Sequence, residues 1–229
     1  MKSNVWGPYA WLTLHIVPLA AAAKDPHQKC SYASEWLRSL HKSIPCSECQ
    51  QHYSWNLQEN PPPKNPTAME LSDYICRLHN HVASSTGNPT WTCQQVYDFY
   101  GFDSTNPSQS RLSFWSRNWL VFIYLAIHSP QVDWNEMKTF MQITGQQLPW
   151  ASPQEENLWN DMMRALPDLR CEAFAWFEEF KPKWSALWNQ TNPWPQALTD
   201  SPYLKRMRWV LCALDRNPSP ATGVWVSFS

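Results

Sequence analysis

Apolar side chains in this chain recur at the period of a helix. Trp36, Leu37, Leu40 and Ile44 fall on one face of a helix near 31–43, and Leu71, Ile75, Leu78 and Val82 line another. No stretch alternates in the way a half-buried strand requires. Turn residues punctuate the pattern. Pro45 begins a new helix that runs to about Trp55, and the run from Asn60 to Pro66 reads as a loop. Thr67 and Glu70 fit a capping box for the next helix, which Gly87, Asn88 and Pro89 stop. A short helix follows near 91–100. Gly101 to Ser110 reads as a linker, with further helical stretches near 112–128, 133–144, 154–165, 170–189 and 201–214. In one of these, Leu158, Trp159, Met162, Met163 and Leu166 mark an amphipathic face. The expectation is an all-α chain of two helical bundles in series.

Composition removes several classes of function. With 43% hydrophobic and 16% charged residues, long disorder is not expected. Five glycines leave little for Gly-rich phosphate loops, and neither GxGxxG nor GxxxxGK occurs. The net charge is −1 and Lys and Arg form no long cluster, which argues against nucleic acid as a partner. Lys2 and the apolar stretch from Val5 to Ala23 mimic a signal peptide, but Gly7-Pro8, His15 and Pro18 interrupt it, so cleavage is not expected. The longest apolar run elsewhere, Trp119 to Ile127, is too short to span a bilayer, and no membrane partner is expected. A glycosylation sequon at Asn189 would matter only in a secreted chain.

Seven cysteines (Cys30, Cys46, Cys49, Cys76, Cys93, Cys171 and Cys212) leave at least one without a partner in the chain. Cys46 and Cys49 form a C-x-x-C directly after Pro45, at an expected helix start. The positive end of the helix dipole lowers a thiol pKa there, which suits thiol–disulfide exchange. Cys46, nearer the helix end, is expected to be the more accessible nucleophile. The same pair followed by Cys76-x2-His79 is also zinc-like spacing. Three of those ligands would lie on long amphipathic helices with bulky neighbours, so no metal is expected. Cys76, His79, Asn80 and Ala83 share a helical face turned away from the Leu71 stripe, and Trp11 and His15 share another. Such faces suit either the lining of a cofactor pocket or a solvated surface.

Four segments occur in order: Trp11-Leu12-Thr13-Leu14-His15; Cys46-Ser47-Glu48-Cys49 with His52-Tyr53; Cys76-Arg77-Leu78-His79-Asn80-His81-Val82; and Gly87-Asn88-Pro89-Thr90-Trp91-Thr92-Cys93. Together they resemble the Erv/ALR family of FAD-linked sulfhydryl oxidases over residues 5–102, and Trp6-Gly7-Pro8 resembles its viral members in particular. The resemblance implies a four-helix bundle with a short fifth helix over residues 1–105, holding FAD at the bundle mouth. It implies that Cys49 lies against the flavin ring while Cys46 exchanges with the incoming thiol. Gly7, Trp11, His15, His52, Tyr53, Cys76, His79, Asn80, Val82, Asn88 and Trp91 match cofactor-contacting positions, and Tyr100 falls where the family usually has an adenine-side Trp. Cys76 and Cys93 match a structural disulfide. The implied reaction oxidises thiols of protein substrates, thioredoxin-like carriers or virion proteins among the candidates. Electrons pass through FAD to O2, and hydrogen peroxide forms. A homodimer is implied, and for a viral member a place in the host cytoplasm or the virion.

The chain departs from the family pattern in three places. Ala83 stands where a polar FAD contact is usual, and Asn88 where a Lys is usual. No second C-x-x-C is present to act as a shuttle, which leaves only Cys30, Cys171 and Cys212 as spare thiols. Residues 111–229 carry a weak internal echo. Trp11, Pro26, Pro45, Gln50 and Trp55 are answered at one constant offset by Trp115, Pro130, Pro149, Gln154 and Trp159. In this echo both cysteines of the C-x-x-C are lost and His15 becomes Trp119. A redox-inactive, degenerate second copy is one reading, and chance matching in a Trp-rich chain is the other. Two rival functions remain at this level: a flavin-free thiol–disulfide carrier and a zinc-stabilised helical adaptor.

Overall fold

Side chains cap several of the helix N-termini, and these closures mark where the elements begin. The computed structural model describes residues 3–107, 110 and 112–188; side chains at 114, 116 and 117 lie outside the description, as do Asn189, Cys212 and the helix expected near 201–214. The helices are α1 (Ser3–Lys24), α2 (Ala33–Ser43), α3 (Ser47–Glu59), α4 (Ala68–Ser85), α5 (Cys93–Tyr100), α6 (Trp119–Ile127), α7 (Trp134–Gln147), α8 (Pro153–Arg164) and α9 (Arg170–Leu187). A 3-10 helix over Leu112–Asn118 leads into α6, where a single helix was expected. Among the described residues there is no strand, and the chain is all-α.

The Thr67 hydroxyl accepts from the Glu70 amide at 3.2 Å while the Glu70 carboxylate accepts from the Thr67 amide at 2.7 Å, the expected capping box. Thr92 and Gln95 form a second one at the start of α5. Asp133 caps α7 by accepting from the amides of Asn135 and Glu136. Both α4 and α5 run out into glycines with positive φ, Gly87 and Gly101, each at 71°. The amides of Asn88 and Phe102 then reach back to the carbonyls of Ala83 and Tyr97.

Pro8 and Pro18 lie inside α1 without ending it, although each removes an amide donor. For Pro18, packing explains why. Every residue from Leu12 to Ala22 is buried, because α4 covers one side and the 3-10 helix, α6 and α7 cover another. A helix enclosed in this way reads as continuously apolar, which is why the segment imitates a leader. Likewise α2 packs against α7, and all nine residues of α6 are buried. Trp36 is fully buried, stacks on Phe140 at 6.0 Å and donates its indole N–H to Thr144 at 2.9 Å.

The expected domain boundary at 105–111 is therefore not where the contacts divide. One unit runs through Arg164 and a second begins at Ala165. The linker has turn composition, but the helices beyond it bury the outer sides of α1 and α2. Of the second unit residues 165–188 are described, and within α9 Phe174, Trp176, Phe177, Phe180 and Trp184 are buried. No described helix is long and apolar enough to cross a membrane.

Candidate functional site

Cys46 is the residue before α3, in extended backbone, and its Sγ accepts a hydrogen bond from the Cys49 amide at 3.2 Å. Cys49 lies in the first turn of the helix. Their sulfurs are bonded, with Cα atoms 5.2 Å apart. The two residues are both half-buried, so the greater accessibility expected of Cys46 is not a matter of exposure. What separates them is position: Cys46 sits ahead of the helix and Cys49 within its positive end. Gln50, a buried residue that the sequence did not single out as a site residue, donates to the carbonyls of Ile44 and Gln131, both at 2.9 Å.

A second group gathers on α1, α4 and α5. The imidazoles of His15 and His79 meet at 2.9 Å, Nε2 to Nδ1. Trp11 stacks on His79, with centroids 4.0 Å apart and planes 9° from parallel. Tyr100 brings its ring to 5.3 Å from His15. Burial, with repulsion from His79 added, holds the His15 pKa down to about 3; burial alone holds His79 down to about 4. Both rings are neutral at pH 7, so one N–H bridges them. Burial likewise pushes the Tyr100 phenol up. His15 Nδ1 is buried and has no partner. Such an orphaned atom costs about 1–3 kcal/mol. The charge-poor aromatic faces and this one unmet polar atom suit a flat heteroaromatic ring, so the residues present fit a flavin nucleotide better than a metal ion.

The other expected residues divide. Asn80 faces the α4–α5 loop and binds the Trp91 backbone at two points, accepting from its amide at 2.9 Å and donating to its carbonyl at 2.6 Å. Trp91 is exposed and edge-on to Phe99. Asn88 is exposed and donates to Thr86, while Val82 is half-buried rather than part of the core stripe. A Cβ on buried Gly7 would meet no atom within 4 Å. Tyr53 turns toward α2, where its hydroxyl donates to the Leu37 carbonyl at 3.2 Å, and His52 is exposed. Neither Cys46 nor Cys49 makes a hydrogen bond or ring contact with the His15 cluster among the described residues. Cys76 is bonded to Cys93, with Cα atoms 5.8 Å apart, so the three cysteines of the zinc-like set are divided between two separate disulfides.

Residues 8–101 match the profile of the Erv1 / Alr family. Over those residues the N-terminal bundle is similar to that family. Its relatives include the FAD-linked sulfhydryl oxidase ERV1 of Oryza sativa subsp. japonica, 30% identical over 95 residues, which are 42% of this chain and 48% of that protein. ERV1 of Arabidopsis thaliana is 29% identical over 90 residues, 39% of this chain and 47% of that protein. A protein of Frog virus 3 (isolate Goorha), provisionally named FAD-linked sulfhydryl oxidase 088R, is 26% identical over 113 residues, 48% of this chain and 75% of its own length. The chain spans about half the length of the two plant relatives. No solved structure matches it.

The segment that matches the Erv1 / Alr profile accounts for four of the seven cysteines as two disulfides. Cys30 is a fifth: a buried thiol at the wall of a cavity of about 340 Å³ beside the Pro62–Pro66 loop. Burial pushes its pKa up, which weakens it as a shuttle nucleophile. Cys171 is buried in α9, and Cys212 lies outside the described residues. Sequence reasoning missed the Thr92–Gln95 box, although T-x-x-Q signals it. It also missed the Asn80–Trp91 clamp and the role of Gln50, for which no local signal exists.

Proposed function

We propose that this chain is an FAD-linked sulfhydryl oxidase that makes disulfide bonds in protein substrates. The observation that carries this reading is a disulfide at a helix N-terminus, Cys46–Cys49, inside an Erv1/Alr bundle. A substrate thiolate, its proton lost to solvent, attacks Sγ of Cys46. The Cys46–Cys49 bond breaks, a mixed disulfide forms at Cys46, and Cys49 leaves as a thiolate. The first turn of α3 lowers the charge cost of that leaving group. A second substrate thiolate then attacks the mixed disulfide, which releases substrate disulfide and leaves Cys46 and Cys49 reduced by two electrons. Trp11, His15, His79 and Tyr100 would hold FAD, with His15 Nδ1 as a polar contact. When bound, FAD supplies the two-electron acceptor for the dithiol and passes those electrons to O2, giving hydrogen peroxide.

The test is a purified chain assayed for bound FAD and for oxygen uptake with a reduced protein. FAD at one per chain with thiol-dependent uptake is expected; a folded, colourless chain with no uptake sinks the reading and favours a flavin-free carrier. Roles separate by trapping. Cys49→Ser with an oxidised substrate should accumulate a mixed disulfide at Cys46, Cys46→Ser should not, and each should cost at least about a hundredfold in turnover.

For the helices after the linker, the reading is a degenerate second copy that packs and does not react. α7, α8 and α9 begin within three residues of where α2, α3 and α4 would recur at the Trp11–Trp115 offset. Trp36 stacks on Phe140, its own counterpart at that offset, as residues near the axis of a two-fold interface do. At the positions answering to His15 and Cys46 stand Trp119 and Trp150, both packed on Trp159. A homodimer remains the assembly to test; since α6 and α7 already cover α1 and α2, it would form on other faces.

A further inference from the structure

The short non-helical segment between α2 and α3 carries Cys46, and one buried side chain from α3 reaches back to it. Gln50 is 8% exposed, and its amide nitrogen has two hydrogens in a fixed plane. One goes to the Ile44 carbonyl at 2.9 Å, the same carbonyl that accepts from the Cys46 amide at 2.9 Å. The other goes to the Gln131 carbonyl at 2.9 Å, in the loop between α6 and α7. That loop is tied down in turn. Ser129 donates to the Gln131 side chain at 2.7 Å, and the Asp133 amide donates to the Lys42 carbonyl at 2.9 Å, in the last turn of α2. The α6–α7 loop thus grips the end of α2 directly and the approach to α3 through Gln50. The Gln50–Ile44 bond is buried, and a hydrogen bond shielded from water holds geometry firmly.

We infer that Gln50 is a positioning residue for the Cys46–Cys49 disulfide, and that the α6–α7 loop is the anchor it works against. Gln50 touches neither sulfur. It fixes the Ile44 carbonyl, hence the Cys46 amide, and hence the place of Cys46 Sγ relative to the first turn of α3. The C-x-x-C exchanges with an external dithiol according to how firmly its two sulfurs are held together. A slack segment lets Cys46 drift from Cys49 and favours the reduced form. The helices beyond the linker, on this view, tune the reactive pair as well as covering α1 and α2. The inference rests on the exchange role given above to Cys46–Cys49.

The experiment equilibrates the full chain with oxidised and reduced dithiothreitol and reads the fraction of Cys46–Cys49 oxidised. Gln50→Met keeps length and packing and removes both donors. Its exchange constant should move toward the dithiol at least about threefold, about 14 mV for a two-electron couple. If Gln50→Met does not fold, a Gly-Ser insertion between Pro130 and Gln131 slackens the anchor without touching α3 and should give the same shift. A folded Gln50→Met chain, or failing that a folded insertion chain, with the wild-type constant overturns the inference. The exchange constant needs no FAD and no turnover, so a chain that lacks oxidase activity yet shows the shift loses the proposed function and keeps the positioning role.

Discussion

His15 and His79 share a single proton at neutral pH, and that economy has a stability consequence. Unfolded, each imidazole titrates near 6.5; folded, they are held down to about 3 and about 4. A depressed histidine contributes stability that is complete above pH 6.5 and is lost as pH falls toward the folded value, because the unfolded chain takes up the protons first. Between about pH 4.5 and 6 the pair should give a slope of up to ~2.7 kcal/mol per pH unit, one proton each. Urea midpoints measured across that range should show it, and His15→Gln should remove about half; an unchanged slope would mean that the pair is charged or solvated in solution. Gly145 poses a steric question on the same scale. A Cβ there would collide with the indole of Trp159, which is itself hemmed in by Trp119 and Trp150. Gly145→Ala should cost about 1–3 kcal/mol by calorimetry. Nothing local in the sequence marks that glycine, since its constraint comes from a residue on another helix.

The short helix α5 has too few residues to persist alone. Three devices hold it: the Thr92–Gln95 box, the Cys76–Cys93 bond and the Asn80 grip on Trp91. Breaking the disulfide by Cys76→Ala with Cys93→Ala should cost about 3 kcal/mol, seen as a lower melting temperature, with FAD retention falling because Tyr100 ends this helix. Unchanged melting would place the holding force in the cap and Asn80. Much at this scale was legible in the sequence. Thr67 and Glu70 announced α4, and the glycines announced where α4 and α5 stop, because caps are local chemistry. The continuity of α1 through Pro18 was not legible, nor was the 3-10 stretch before Trp119. Tertiary packing decides both.

For the molecule as a whole, the linker from Gly101 to Ser110 suggested a seam that the packing does not respect. Turn composition reports where the chain bends, whereas a domain boundary depends on which faces become buried afterwards. Trp36, Ile16 and Leu19 are fully buried within a unit that includes α6 and α7. A chain cut after Ser108 would expose such side chains and should aggregate or self-associate, as light scattering of the fragment beside the full chain would report. A monodisperse, monomeric fragment would show that the outer faces of α1 and α2 tolerate water.

The Trp36–Phe140 stack joins two positions of one chain, and this has a consequence in the arithmetic of dilution. An interface between separate molecules dissolves as concentration falls, by mass action. One closed within a single polypeptide faces its partner at an effective concentration set by the connecting chain, whatever the bulk amount. The packing against α2, and with it the anchor on the segment that carries Cys46, is therefore as secure in a single copy as in a crowded solution.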